Sequence, residues 1–509
     1  MSLLNSGAVV GLLSALEGTF NVQPTTGWRT NQPNSDGIQG FIALDKKVAR
    51  QPLSPNMQRE KGDIVDRDAN PKIVHDLTKE WLDDFAPGSL LSLEKWPGGT
   101  GVGRWAVTPT ATGVVAVTAV AAGAYTVASG GALTAGTLLF ARGFTNAANN
   151  GLQIVAAAST GISIKVTAAV LEASPPANAT LEVVGFQFAS ADLTSTATTL
   201  GCTVASFTAM GLQQYAWLWV GGGTAAAPGA LGYASATNRG FIRMTSITAT
   251  TITFDRAITT WVTDAGAGKT IQIFFGPWIR GVAKTHADRL EQTYNLELSV
   301  PGLDSGGATD YAYGYGMMVS DLEINAPKNA LVVATLGFMG TNVTTWSTTR
   351  ATGASTAPSV IATAPFNTAT EIRRIPRLVD SSGNVNLANV QDWKLTLKNN
   401  IDAPNQQGTL GPFQLLPGEM DVDVAMTGFL MQPDLMGSIH NNTTLAFDVA
   451  LANGDGGVLL DVPAGTFVDG TPKFPQNTAN TLAGNLMAHR DPVTNMTFAI
   501  QKYAYLPAS

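Results

Sequence analysis

Apolar and polar residues alternate strictly in several segments of the second half of the chain, at 294–300, 393–398 and 420–426. In the first of these segments Glu297 lies between two leucines. Successive side chains of a β-strand point to opposite faces, so each segment predicts a strand with one face on a core and one polar face. Antiparallel sheets with a polar face are typical of sandwiches and barrels.

A different periodicity near the N-terminus predicts a short helix. Leu77, Trp81 and Phe85 recur every four residues and share one helical face, and the Pro-Gly pair that follows them is a stop signal. Residues 20–59 are rich in Pro, Asn and Gly and show little periodicity. This segment predicts a long arm or loop, because loops of such length are uncommon unless they are functional or pack on a neighbour.

Residues 98–276 consist of short β-type runs in which a pattern recurs. Four segments return in the same order, the clearest being Asn149–Ile154, which is answered by Asn238–Arg243. The spacing between the copies grows along the chain, as expected when strands persist and loops absorb insertions. We therefore predict a core in two parts, 1–97 and 277–509, and two inserted β-modules related by duplication, 98–186 and 187–276.

The charged fraction and the net charge restrict the kinds of protein that this chain can be. Only 13% of the residues are charged, against about 25% in an average soluble protein. Such a neutral surface suits a protein that is largely covered by copies of itself. The net charge of −7 argues against a static nucleic-acid binder, which would show a basic face. It does not argue against a surface that nucleic acid slides past.

The single cysteine and the distribution of apolar residues argue against a disulfide framework, a cysteine metal site, a signal peptide and a membrane span. Cys202 alone allows neither a disulfide framework nor a cysteine zinc site, and we expect it to be buried as a small apolar residue. The N-terminal residues lack the basic start of a signal peptide, and no stretch has the length of a membrane span. We expect no membrane binding by the chain itself.

Patterns that would carry catalysis or bind a metal are weak. The four histidines occur in no HExxH motif and in no close pair. Asp421 and Asp423 are neighbours on the polar face of one predicted strand, and Asn453–Gly456 is typical of a tight hairpin turn rather than of a Ca²⁺ loop. A β-rich glycosidase would need paired carboxylates in an aromatic groove, whereas the acidic residues here are scattered. We predict no enzyme activity, no cofactor and no metal site.

The order of several structural motifs resembles the major tail tube proteins of long, non-contractile phage tails. Each motif is weak alone, and the resemblance covers the two parts of the predicted core. In chain order the motifs are Gln23–Trp28, Gly276–Gly281, Val390–Asn400, Pro417–Glu419 leading into Val422–Gly428, and Thr497–Tyr503.

The resemblance implies a β-sandwich protomer that forms stacked, hexameric rings around a channel for DNA ejection. The implied partners are further copies of the chain, a tape measure protein in the lumen before ejection, tail terminator and distal tail or baseplate proteins, and double-stranded DNA in transit. The implied location is the tail of a virion assembled in the host cytoplasm. The inserted modules, which the simplest family members lack, are expected to project outward and to be dispensable for the tube. The alternative is an exported surface or adhesion protein with tandem Ig-like modules.

The tube interpretation assigns candidate surface residues. Every Lys or Arg on the channel wall would pair with phosphate and release counterions, which adds affinity where DNA must slide. The polar faces of the predicted core strands carry Glu297, Asp421 and Asp423, and we predict that these side chains face the lumen. Lys394 and Lys398 share the polar face of a similar strand. We expect these lysines at a subunit contact or on the exterior, where they meet carboxylates.

Overall fold

A computed structural model shows that the chain is mainly β, with 49% of residues in strands and 5% in helices. The sheets are antiparallel, so the predicted fold class is confirmed. The described residues are 11–50, 61–96, 115–127, 133–157, 159–160, 162–176, 179–223, 227, 229–302, 308–356, 363–380, 385–387, 390–429 and 434–507.

The strands of residues 11–76 and 278–503 form one large sheet and a separate hairpin, and the strands of residues 115–274 form a second large sheet. The first part of the core holds β1 Gly11–Leu16, β2 Arg29–Asn31, β3 Ile38–Gln39, β4 Leu44–Val48, β5 Asp63–Asp68, β6 Lys72–Asp76 and helix α1 Lys79–Leu90. The first module holds β7 Val115–Ala121, β8 Ala124–Val127, β9 Thr137–Arg142, β10 Gly151–Ile154, β11 Ser163–Lys165 and β12 Thr180–Phe188. The second module holds β13 Leu193–Ser195, β14 Thr199–Cys202, β15 Trp217–Val220, β16 Gly240–Ile247, β17 Thr251–Asp255 and β18 Ile271–Phe274.

The second part of the core supplies most of its sheet. Its elements are β19 Trp278–Arg280, β20 Tyr294–Pro301, β21 Thr309–Ala326, β22 Val333–Met339, β23 Asn342–Val343, β24 Ile372–Asp380, β25 Val385–Leu387, β26 Val390–Lys398, β27 Asp421–Phe429, helix α2 Asp434–His440, β28 Leu445–Asn453, β29 Gly456–Lys473, β30 Thr481–Ala488 and β31 Ala499–Tyr503. A tight turn joins β28 to β29, with Asn453 paired to Gly456, as the sequence predicted.

Two strands of 18 residues, β21 and β29, connect the layers of the core. The first half of β21 pairs with β20, and its second half pairs with β22 and β26. In the same way β29 pairs with β28 and β31 near its start and with β30 near its end. Leu322, Leu395, Val424, Phe447 and Leu460, from five different strands, meet in one apolar core. The long strands therefore hold the facing layers of a sandwich together.

Helix α1 closes one side of this core but does not end where the sequence predicted. Thr78 caps its start by accepting a hydrogen bond from the Trp81 amide at 3.3 Å. The predicted stop, Pro87-Gly88, lies inside the helix, and the chain turns away only at Leu91, which has a left-handed conformation. Gly88 does not end the helix. It allows the helix to pack closely against Tyr294, because a Cβ at this position would lie 2.4 Å from the Tyr294 hydroxyl.

The two inserted modules pair their strands in the same order. The pairs β7–β8, β8–β11, β9–β10 and β9–β12 of the first module correspond to β13–β14, β14–β17, β15–β16 and β15–β18 of the second. The modules meet where β12 and β18 pair antiparallel. The predicted boundary after residue 186 is wrong, because β12 continues without a break to Phe188. The predicted boundary at residues 97–98 lies outside the described residues. Cys202 is buried, as predicted.

Each module also contains a buried asparagine that bonds to both backbone groups of a distant valine. Asn149 donates to the Val170 carbonyl at 3.0 Å and accepts from the Val170 amide at 2.8 Å. Asn238 makes the same pair of bonds with Val262, at 2.7 and 2.9 Å. Both asparagines belong to the recurring sequence segment, although the sequence did not indicate this bonding role.

Candidate functional surfaces

One broad sheet surface presents the polar residues of β21, β26, β27, β30 and β29, and we call it the polar face. Its strands are in register, with Asp321 opposite Lys398 and Lys398 opposite Asp421. In the next row Thr396 lies opposite Asp423. The face includes Asp321, Glu323, Asn325, Asp392, Lys394, Thr396, Lys398, Asp421, Asp423, Ala425, Thr427, Asp469, Thr471, Lys473, Thr481, Ala483, Asn485 and Met487.

The alternation predicted for β26 and β27 is confirmed by burial. Trp393, Leu395 and Leu397 are buried, whereas Lys394 and Lys398 are exposed. On β27, Val422 and Val424 are likewise buried, whereas Asp421 is exposed and Asp423 is half-buried. The period of two in the sequence therefore identified the polar face correctly on these strands.

Opposite charges lie next to each other across the polar face. The Lys394 ammonium is 2.8 Å from the Glu323 carboxylate on the neighbouring strand. Asp421 accepts a hydrogen bond from the Asn400 amide at 2.6 Å and lies directly across from Lys398. Opposite charges facing each other across strands stabilise a sheet modestly. The face thus carries local pairs of charges and not a field of one sign.

The predicted separation of the lysines from the aspartates is wrong. Lys394 and Lys398 were expected on a different surface from Asp421 and Asp423, but β26 and β27 are neighbouring strands and their polar side chains share one face. The sequence pattern could not show this, because alternation specifies the face of each strand and not which strands pair. Any molecule that meets the aspartates on this face also meets the lysines.

The predicted exposure of Glu297 is also wrong. Its side chain is fully buried, and it accepts hydrogen bonds from Arg350 at 2.7 and 2.9 Å and from the Tyr313 hydroxyl at 2.8 Å. The strand that carries it lies between β1 and β21, and the segment that contains Arg350 covers its polar side. A buried ion pair produces the same alternating pattern as a solvated face. Glu297 therefore takes no part in the polar face.

A second surface is a β-hairpin formed by β4 and β5, which we call the arm. These strands pair with each other and form a sheet separate from the two large ones. Ion pairs hold the hairpin together, from Lys46 to Asp66 at 2.7 Å and from Arg67 to Asp45 at 2.8 Å. Hydrogen bonding to Asp66 and Asp68 raises the pKa of Lys46. The tip, at residues 51–60, lies outside the described residues.

The arm exposes large apolar side chains on both strands. Val48 is 62% exposed and Val65 is 52% exposed, and Ile42, Leu44 and Ile64 are exposed as well. A two-stranded hairpin is at best marginally stable in water without a packing surface. Only the base is tied to the core, where Arg67 donates to Asn342 at 3.1 Å and Asn405 donates to Asp66 at 2.8 Å.

The sequence predicted a long arm or loop at 20–59, and the structure divides this segment. Trp28 is buried against Tyr313, with 6.2 Å between the ring centroids, so the first half packs on the core. The second half begins the arm. The segment is therefore partly a strand-forming element of the protomer and partly a projection.

A third feature is the contact between the modules and the core, which we call the seam. Apolar residues of both modules, including Leu138, Trp217 and Phe274, pack with Leu459 and Tyr503 of the core. The Trp217 indole nitrogen donates to Asp461 at 2.9 Å, and the Tyr503 hydroxyl donates to the Trp217 carbonyl at 3.1 Å. One face of the insertion is thus bound to the core through residues of both modules.

Buried charges reinforce the seam beside the second module. Arg374 and Arg377 both pair with Asp448, and both donate to the Arg256 carbonyl, at 2.7 and 2.8 Å. Arg374 also lies over the Trp217 ring, at 4.7 Å from its centroid. Removing one member of such a network leaves a buried charge without its partner, which is strongly destabilising.

Among the described residues, no three His, Cys, Asp or Glu side chains are grouped to hold a metal ion. A groove of about 1060 Å³ runs between the second module and one end of the polar face. Its lining mixes Arg280, Lys284 and Arg490 with Glu419 and Asp423.

Comparisons with known proteins identify no relative: no family model matches the chain, and no curated protein is significantly similar to it. Within the described ranges, neither α1 nor α2 is long and apolar enough to cross a membrane. The surfaces of the molecule and the motifs in its sequence are therefore the basis for proposing a function.

Proposed function

We propose that the chain is the tube subunit of a long, non-contractile phage tail and that it assembles into stacked rings, hexameric by its resemblance to that family. The observation that carries the proposal is the arm, which exposes a set of large apolar side chains that a second copy of the chain would bury. Exposed apolar patches of this kind mark sites of association. A heterologous contact that closes gives a ring, and one that does not close gives a filament.

The polar face supports a role in lining a conduit. Its strands are long and ordered, and it has no apolar patch that would hold a passing polymer. We propose that Asp421 and Asp423 face the channel, with Lys394 and Lys398 beside them. Because each lysine has a carboxylate on a neighbouring strand, phosphate would have to compete with an existing partner for it.

We also propose that the two modules arose by duplication of one β-unit and lie on the outside of the tube. The shared order of strand pairing and the matching bonds of Asn149 and Asn238 support a common origin. Proteins in which strands persist and loops diverge commonly preserve such buried polar contacts, because an unpaired buried group is costly.

The partners follow from the tube proposal. Copies of the chain would meet within and between rings, and a tape measure protein would occupy the lumen until DNA replaces it. Terminator and distal tail or baseplate proteins would bind the two ends of the tube. The complete particle would be a virion, assembled in the host cytoplasm.

Sedimentation of the purified chain over a concentration series tests the proposal. A tube subunit is expected to shift from protomers to rings and longer assemblies as concentration rises. An adhesion protein with independent Ig-like modules would remain an extended monomer at every concentration, and an enzyme would remain a compact particle of fixed mass. Either of the last two results would contradict the proposal.

A further inference from the structure

Buried charges also hold the first module to the core, at the place where α1, β31 and β12 meet. Lys502 is fully buried, lies 2.6 Å from Asp83 and also pairs with Glu94. Lys79 lies 2.9 Å from Asp83 and 3.7 Å from Glu182, which belongs to the module. Three elements from distant parts of the chain therefore share one dry cluster of charges.

The cluster contains more acidic than basic groups. Asp84, in the middle of α1, pairs with Arg29, and Glu80 lies on the same helix. Arg142, on β9 of the module, acts on both Glu80 and Glu182. We call the whole set the junction: the carboxyl groups of Glu80, Asp83, Asp84, Glu94 and Glu182, and the cationic groups of Arg29, Lys79, Arg142 and Lys502.

Glu182 is a poorly hydrogen-bonded carboxyl group of the junction. It is 2% exposed, and one of its oxygens is buried without a hydrogen-bond partner. Its nearest cation, Lys79, is already hydrogen-bonded to Asp83. A buried carboxylate without donors carries a large desolvation cost, and a proton removes that cost by neutralising the group.

We propose that the junction binds a proton and that this proton stabilises the docking of the first module on the core. The acids outnumber the cations by one, and the module contributes Glu182 and Arg142 to a site that otherwise belongs to the core. Docking therefore moves the Glu182 carboxyl group from water into a buried place where one of its oxygens has no hydrogen-bond donor.

The direction of the pH dependence follows from the acids of the junction. Burial raises the pKa of Glu182 and of Glu94, although Lys79 and Lys502 respectively oppose the rise. Burial, together with the charges of Asp83 and Asp84, raises the pKa of Glu80 from 4.5 to about 7. An acid whose pKa is higher in the folded state stabilises that state at low pH, and the stabilisation is lost as the pH rises through the folded value. The loss is therefore expected between 4.5 and about 7.

Replacing Glu182 with glutamine tests the proposal in the full-length protein. Glutamine keeps the shape of the side chain and removes the charge that needs the proton. The Tm of the wild type is expected to fall by roughly 2 °C or more between about pH 5 and about pH 8. The variant Glu182→Gln is expected to show a smaller fall and a higher Tm than the wild type at the upper pH. Glu419→Gln, which neutralises an exposed acid far from the junction, should leave the wild-type slope unchanged.

A second variant and a measurement of the local stability of single strands test the proposal if Glu182→Gln does not fold. Glu80→Gln should also reduce the slope of Tm against pH, since Glu80 belongs to the same junction. Amide hydrogen exchange, corrected for its intrinsic pH dependence, should show protection lost from β12 but not from β26 as the pH rises. An unchanged slope in the folded variants, or equal changes in both strands, would overturn the proposal.

Discussion

At Asn149 and Asn238 one side chain serves as partner for both backbone groups of a valine that is distant in sequence. Both asparagines are completely buried. An amide side chain can do this because it carries a donor and an acceptor side by side. Alanine at either position would remove two hydrogen bonds, one to the N–H and one to the carbonyl of the valine.

We predict that Asn149→Ala and Asn238→Ala each lower the free energy of unfolding by about 1–3 kcal/mol. Chemical denaturation followed by circular dichroism measures the change. Asn441→Ala, at an exposed turn, is the matched control and should lie within about 0.5 kcal/mol of the wild type. A loss no larger than that of the control would show that these bonds contribute little.

Charge on the polar face gives a second prediction at the scale of single residues. Asp421→Lys would place two lysines directly opposite each other, because Lys398 is its cross-strand neighbour. We predict that Asp421→Lys together with Asp423→Lys leaves tube assembly intact and slows DNA ejection, since uncompensated lysines bind phosphate.

Exchanging the charges of the pair provides the control for this prediction. Asp421→Lys combined with Lys398→Asp keeps the net charge of the face and should eject DNA at close to the wild-type rate. Ejection is measured by dye-labelled DNA release from particles carrying each variant. Equal rates for all variants would place the polar face away from the channel.

Glu297 and Asp421 show what residue patterns could and could not predict. Both lie in strands with strict alternation, and both were assigned to a polar face. Asp421 is exposed, whereas Glu297 is buried beneath Arg350, a residue 53 positions later in the chain. Alternation reports the two sides of a strand, but it contains no information about which distant segment covers a side. The buried charges of the junction escaped prediction for the same reason.

At the scale of secondary-structure elements, the arm exposes apolar side chains that contact with another molecule would bury. Its strands are held by ion pairs at exposed positions, which contribute little stability. The apolar side chains between them have no cover within the described part of the protomer. Burial of a large aliphatic side chain contributes about 1.5–3 kcal/mol, so contact with another copy would stabilise both the arm and the assembly.

We predict that Val48→Asp combined with Ile64→Asp abolishes the concentration-dependent assembly and leaves the protomer folded. Val48 is 62% exposed and Ile64 is 40% exposed, so neither side chain belongs to the core of the protomer. Leu171→Asp is the matched control, because Leu171 is equally exposed but lies on the first module. Sedimentation should show monomers for the arm variant and assemblies for the control. Assembly of both proteins would exclude the arm as the contact surface.

The positions of strands and helices were predicted well where residues close together in the sequence determine them. The strands at 294–300, 393–398 and 420–426 and the start of α1 all appear close to their predicted positions. The end of α1 was missed because Gly88 is required by its contact with Tyr294, which no local pattern reveals. The long arm or loop predicted at 20–59 includes β4 of the arm but not β5, and the hairpin was not predicted, since its strands are rich in charged residues.

At the scale of the whole molecule, the seam makes the insertion part of the folding unit. The sequence suggested that 98–276 could be removed, because duplicated modules often behave as independent domains. The structure places Trp217 and Tyr503 in a shared apolar contact and buries Lys502 next to Glu182 of the module. Removal would expose this surface and leave charges of the core without their cover.

We therefore revise that expectation and predict that deletion of 98–276, with Trp96 joined to Pro277 by a short linker, yields insoluble or unfolded protein. Solubility and near-ultraviolet circular dichroism of the purified product measure the outcome. Recovery of a folded core that still assembles would show that the seam is dispensable.

Cryo-electron microscopy of the concentrated, purified protein would show directly whether copies of this chain stack into a tube. We expect rings stacked into tubes, with the arm of one protomer packed on another protomer and the polar face lining the channel. Separate protomers at every concentration, or assemblies in which the arm remains exposed and the polar face points outward, would contradict this expectation.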